Sequence, residues 1–168
     1  MRARSYRTAR LVVLCLGALL LMSCSAAMSG LEVASIEIKA PPEKVFNYVS
    51  DPANWKGTYE PIKSVSNIQG QGLGQTFDWT TEWKNIRGQG HAVVTVFEPN
   101  RKFVAESTCG KTITYILTPT PDGTKLTLSV RHAEELPVGG KPVKQYVLKE
   151  LRKSFDNMLS NVKTAVEK

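Results

Sequence analysis

Acid–base chemistry needs polar groups that converge inside a pocket, and few residues of this sequence offer that. Asp78 and Glu82 come nearest to a carboxylate pair. They lie in Thr76-Phe77-Asp78-Trp79-Thr80-Thr81-Glu82-Trp83, where polar residues alternate with mostly aromatic ones. That alternation marks a strand with two unlike faces. Phe77, Trp79, Thr81 and Trp83 must point inward, which turns both carboxylates to solvent and away from any pocket. His132 is better placed, at the end of the inward set Leu126, Leu128, Val130 and His132. Beside Tyr115 and Ser107 it could move a proton; the plainer reading is a strand-end histidine satisfied by water or backbone. His91 follows Gly90 at a strand start and reads as exposed. His132 and Tyr115 are thus the weak catalytic candidates, and none is assigned.

Other chemistries find less support. Two histidines and Cys109, scattered as they are, lack metal-ligand spacing, so neither metal nor cofactor is expected. Gly70, Gly72 and Gly74 precede a strand rather than a helix, and no Lys-Ser/Thr follows, so they read as a turn and not as a phosphate cradle. No nucleophile motif of the G-x-S-x-G kind is present. Cys109, late in a strand, reads as a small buried residue.

Charge and length narrow the classes further. The 168 residues carry a net charge of +7, but Arg2, Arg4, Arg7 and Arg10 fall within the first ten positions. Without them 18 basic residues face 15 acidic ones, and no nucleic-acid partner is indicated. The basic start precedes an apolar run, residues 11–22, and then Ser23-Cys24-Ser25-Ala26-Ala27. Positive, apolar, small is the order of a secretory signal. The run is short for a bilayer span, which needs roughly 20 apolar residues. Leu21-Met22-Ser23-Cys24 resembles a bacterial lipobox, in which Cys24 is diacylated; cleavage after Ala27, or an uncleaved anchor reaching Met28, remain the alternatives. The organisation expected is a lipoprotein-type signal over 1–23, a link over 24–32 and one domain over 33–168. The protein is then held in the cell envelope by its lipid, facing the periplasm or exterior, or else is soluble there.

The domain reads as α+β. Residues 33–40 alternate as a half-buried strand. Pro41-Pro42-Glu43 opens a short helix carrying Val45, Phe46 and Val49; residues 51–56 add one more turn, pinned by Trp55. Strands are expected at 64–68, 76–83, 91–98, 102–109, 111–118 and 125–132. Between them lie residues rich in Gly, Pro and Asn, including 85–90. Short connections make the sheet antiparallel. Inward sets are Phe103, Ala105, Ser107 and Cys109, and Ile113, Tyr115 and Leu117; residues 91–98 are apolar on both faces, and parity assigns them no inward side. After the loop 134–141, Pro142 opens a long helix striped by Val147, Leu151, Phe155, Met158, Val162 and Val166. Lys141, Lys144, Lys149, Arg152 and Lys153 cluster in its first half and read as a solvated face.

That order of elements resembles the START-like, or SRPBCC, superfamily, nearest to its polyketide cyclase/dehydrase and lipid-transport proteins. The residues that carry the resemblance are Ile36-Glu37-Ile38-Lys39-Ala40-Pro41-Pro42-Glu43-Lys44-Val45-Phe46, Ser50-Asp51-Pro52, Asn54-Trp55, Glu60-Pro61, Gly72-Leu73-Gly74 and Asp122-Gly123-Thr124-Lys125-Leu126. Relatives often carry a second Trp just after the position of Trp55, where this chain has Lys56-Gly57-Thr58-Tyr59. The resemblance implies a helix-grip fold: a curved antiparallel sheet of about seven strands wrapped on the long C-terminal helix, with two short helices after the first strand. It also implies a cavity between sheet and helix for a lipid, sterol or polyketide-like molecule.

Periodicity alone favours a solid core, because apolar stripes are usually packing; the resemblance reverses that preference. With the resemblance, the ligand-binding set is Phe77, Trp79, Trp83, Phe103, Tyr115, Leu151 and Phe155, and the 134–141 loop is a gate. The leading reading is a non-enzymatic, lipid-anchored binder of a hydrophobic small molecule. The rivals are a cyclase/dehydrase-type enzyme using His132, and an envelope interaction module with a filled core.

Overall fold

The structure is a computed structural model that describes residues 31–83, 86–132 and 141–168. The leader with Cys24, most of the loop at 134–141, and the side chains of His132, Lys141 and Lys144 lie outside the described residues.

Seven strands form one antiparallel sheet: β1 (Leu31–Ile38), β2 (Ile62–Gln69), β3 (Thr76–Trp83), β4 (Ile86–Glu98), β5 (Lys102–Ser107), β6 (Lys111–Thr120) and β7 (Gly123–His132), in the spatial order β1-β7-β6-β5-β4-β3-β2. The two edge strands are consecutive in sequence. Two short helices, α1 (Pro42–Val49) and α2 (Trp55–Thr58), connect them, and the long α3 (Lys141–Val166) packs on β1, β7, α1 and α2. This is the helix-grip arrangement expected from the sequence.

Two stretches differ from the sequence reading. Residues 86–90 belong to β4, with Trp83 opposite Ile86 and Trp79 opposite Gly90. The glycines there leave room for side chains of β3 and do not break the strand. Cys109 is exposed in the β5–β6 turn, not buried, because β5 ends at Ser107 and the chain reverses through Gly110 at φ 75°. The two-sided apolar pattern of residues 91–98 has a local cause. Thr95 is an extra residue in the pairing of β4 with β5, and such a bulge changes the facing of all that follows. Ala92 and Val94 are buried before it; after it Phe97 turns inward, 5.0 Å from the Phe46 ring.

The corner after α1 is built by side chains that satisfy backbone groups. Asp51 accepts from the Ala53 amide at 3.0 Å, and the Trp55 indole donates to the Val49 carbonyl at 3.0 Å. Trp55 packs edge-on against Phe77 (5.0 Å) and Phe103 (6.2 Å). In place of a second Trp, Thr58 donates to the Asn54 carbonyl, and its own carbonyl accepts from Asn161 of α3.

The C-terminal end of α3 is fastened to the end of β1. Lys163 Nζ donates to the Glu37 carbonyl at 2.7 Å, and the Lys39 amide donates to Glu167 at 2.6 Å. Beneath these bonds Met158, Leu159, Val162 and Val166 are buried. The β6–β7 turn closes the same corner: the buried Thr124 hydroxyl donates to the Ala40 carbonyl at 2.8 Å. Gly123, at φ 148°, lies so close to β1 that a Cβ there would collide with the Ile38 carbonyl oxygen.

Gly123→Ala should therefore destabilise the domain by about 2–3 kcal/mol in urea unfolding, through combined strain and collision. Gly74→Ala, also at positive φ but with nothing within 4 Å, should cost about 1 kcal/mol. Equal losses would show that the approach to β1 is unimportant.

Candidate functional site

The inner face of the sheet does not meet α3 with equal tightness along its length. Beneath the middle of α3 an apolar cavity remains. About 80 Å³ of it is open to a water-sized sphere, and the atom-free space including its mouth is about 630 Å³. Trp55, Tyr59 and Ile62 border it from the α2 corner, and Trp79 and Thr81 from β3. Lys111, Ile113, Leu128 and Val130 border it from β6 and β7, and Leu151, Phe155 and Met158 from α3. Eleven of these twelve residues are uncharged, as a site for an apolar molecule requires.

The residues expected to bind ligand divide into three groups. Trp79, Leu151 and Phe155 border the cavity. Phe77, Phe103 and Tyr115 are fully buried in the layer packed with Trp55 and Phe97, and do not border it. Trp83 lies in a separate polar groove with Glu60, Lys63, Glu82 and Lys153. Strand twist accounts for this: the parity that faces the core at Phe77 has rotated to the rim by Trp83. Asp78 and Glu82 keep off the cavity as parity required. The Asp78 carboxyl is held below the usual carboxylate range by hydrogen bonds from Asn67 (2.6 Å) and His91 (2.7 Å).

The placement of Trp79 depends on Gly90. Their backbones are opposite one another, and a Cβ at Gly90 would lie 2.7 Å from the indole. The ring folds across that bare position and reaches β5, where its N–H donates to Ser107 Oγ at 3.2 Å. Ser107 in turn donates to the His91 carbonyl at 3.1 Å. Beyond the indole stands Lys111, with Nζ 5.7 Å from the ring centroid. Tyr59, missed from sequence, stacks on Phe155 at 6.0 Å. Burial pushes its hydroxyl pKa up against the opposing effect of a hydrogen bond with Ser154. The signal for Tyr59 was available: an aromatic residue occupies the corner where relatives often have a Trp.

Tyr115, one of the two weak catalytic candidates, has its hydroxyl directed at the Met158 sulfur, 3.9 Å away. Desolvation raises its pKa strongly, and the nearby Tyr59 and Tyr48 hydroxyls add to this. A phenol so buried stays neutral and is a poor proton carrier near pH 7. The shift has a consequence for stability. Below about pH 10 the phenol is neutral in both folded and unfolded chains, so it contributes no pH dependence. Above that pH the unfolded chain ionises first, and stability falls by about 1.4 kcal/mol per pH unit for each such tyrosine. Urea unfolding followed from pH 9 to about 11.5 should show a shallower decline in Tyr115→Phe than in the wild type. Parallel declines would mean that Tyr115 ionises freely in the fold.

Comparison with known proteins identifies the group to which this architecture belongs. Residues 33–167 match the family described as polyketide cyclase / dehydrase and lipid transport. No curated protein sequence matches the chain. Among solved structures, TTHA0849 from Thermus thermophilus superposes with a TM-score of 0.69 at 18% identity, covering 81% of this chain and 96% of that one. A START superfamily protein from Mycobacterium smegmatis gives 0.66 at 17%, covering 82% and 97%. The di-domain ARO/CYC StfQ of the steffimycin biosynthetic pathway gives 0.65 at 17%, covering 82% of this chain and 50% of that one. The first two solved chains are almost wholly this one unit, which folds there without further elements. The family match over nearly all of the described fold establishes that the chain belongs to the polyketide cyclase / dehydrase and lipid-transport family.

Proposed function

We propose that the protein binds a hydrophobic small molecule without a covalent step, in the cavity between the sheet and α3. The observation that carries this reading is the lining: twelve residues from five regions of the fold converge, and eleven are uncharged. Burial of apolar surface alone supplies affinity, at about 25 cal/mol per Å² before the costs of association. The hydroxyl and indole donors that border the space are already turned to protein partners, Trp79 to Ser107 and Thr81 to the Gly88 carbonyl.

The same proposal places the domain outside the cytoplasmic membrane, tethered through an acylated Cys24. The order of basic, apolar and small residues at 1–27 supports it,. Cys24→Ser should move the protein from the membrane fraction to the soluble envelope fraction. An unchanged membrane fraction would reject the anchor.

Native mass spectrometry of residues 31–168, purified without detergent, is the direct test of binding. A discrete excess mass, retained from the cell or gained from a lipid extract, is the expected result. Leu151→Trp, which fills the cavity from its half-buried α3 wall, should weaken that binding about tenfold or more while the domain still unfolds cooperatively. A wild-type domain that takes up nothing, or a Leu151→Trp domain that binds as before, would overturn the reading.

A further inference from the structure

Among the described residues Lys111 is the one charged residue bordering the cavity. It begins β6 directly after the Gly110 turn, half-buried. Among the described residues no carboxylate lies within ion-pair distance of its ammonium group. Its one described contact is with the Trp79 ring, which attracts a cation through its negative face. An ammonium carries three donors, and the indole can satisfy none of them as a hydrogen-bond acceptor would. Trp79 is itself fixed, by its fit over Gly90 and its bond to Ser107. The aliphatic stem is thus supported on an aromatic surface, and among the described residues no carboxylate pairs with the charged end where it stands at an apolar cavity.

We propose that this site takes an amphiphile with a single negative charge: a compact apolar body in the cavity, and a carboxylate or comparable anionic head paired with Lys111. The proposal rests on the cavity-binding reading above and adds the ligand's charge and its polarity of entry. The body lies against Trp79, Ile113 and Leu128, and the head remains at the β6 end. A charge-assisted bond at such a position is stronger than a neutral one. It discriminates against neutral analogues, because these leave the ammonium partly desolvated and unpaired.

Two fluorescent probes with the same apolar body separate charge from cavity. Anilinonaphthalene sulfonate is anionic, and N-phenylnaphthylamine is neutral. Both brighten when they enter apolar surroundings, and both are titrated into the domain of residues 31–168. The sulfonate should bind about tenfold or more tightly than the neutral probe. Lys111→Met retains the aliphatic stem over the indole; it should remove that preference by weakening the sulfonate alone, with the neutral probe within about twofold of wild type. Lys111→Arg should restore the preference. Lys149→Met, on the exposed face of α3, should change neither affinity.

If the two probes bind wild type equally, if Lys111→Met leaves the sulfonate unaffected, or if Lys149→Met weakens it as much, the charge assignment is overturned and the cavity reading survives. If neither probe binds wild type, the cavity reading fails and takes the charge assignment with it. Retained affinity for the neutral probe in Lys111→Met shows at the same time that the variant is folded.

Discussion

The fastening of the C-terminal end of α3 is the constraint on which the rest of the molecule depends. Its last turns are bonded to the backbone of β1 through Lys163 and Glu167, over a close-packed layer of aliphatic side chains. Its middle crosses a floor built from large aromatic rings and branched residues of the sheet. Chains of this shape cannot be close-packed at both ends of a rigid helix unless the side chains fit there as well. At Leu151 and Phe155 they leave space, and that space is the cavity. The aromatic layer beneath it, formed by Trp55, Phe77, Phe103 and Tyr115, keeps the sheet from collapsing into the gap.

Much of this was legible in the sequence, because alternation and helical periodicity follow directly from backbone geometry. The inward facing of Phe77, Trp79, Leu126, Leu128 and Val130 needed nothing beyond counting by twos, and the α3 stripe needed only 3.6-residue spacing. Events that change the count were not legible. The extra residue at Thr95 inverts the pattern along β4. Gly88 and Gly90 looked like loop residues, because a glycine that accommodates a neighbour's indole has the same letter as a glycine that turns the chain. Cys109 was assigned to a strand that stops two residues before it.

The site was less legible than the fold for a related reason. Parity tells which side of a sheet a residue faces, but the whole inner face is apolar, and a cavity occupies only part of it. Phe77 and Trp79 share parity; one is sealed in the core and the other borders the open space. The difference depends on how far α3 reaches over each, which is a tertiary matter. Lys111 is the clearer example. The sequence reading gave it no role. Its role depends on Trp79, which lies across β4 and β5 in the sheet and 32 residues earlier in the sequence.

The pairing of β1 with β7, Leu31 opposite Arg131, sets the order in which such a chain can be completed. The first strand has no other neighbour in the sheet, so its backbone groups wait until the last strand has formed. Closing a loop that spans nearly the whole domain is entropically costly and slow. Until then β1 presents an unpaired edge beside an uncovered apolar face, the combination that favours pairing with other chains. Truncation before β7 would leave that edge permanently open. The helix that seals the fold is synthesised after all seven strands, so a nascent chain of this design has its adhesive surfaces exposed until that helix arrives.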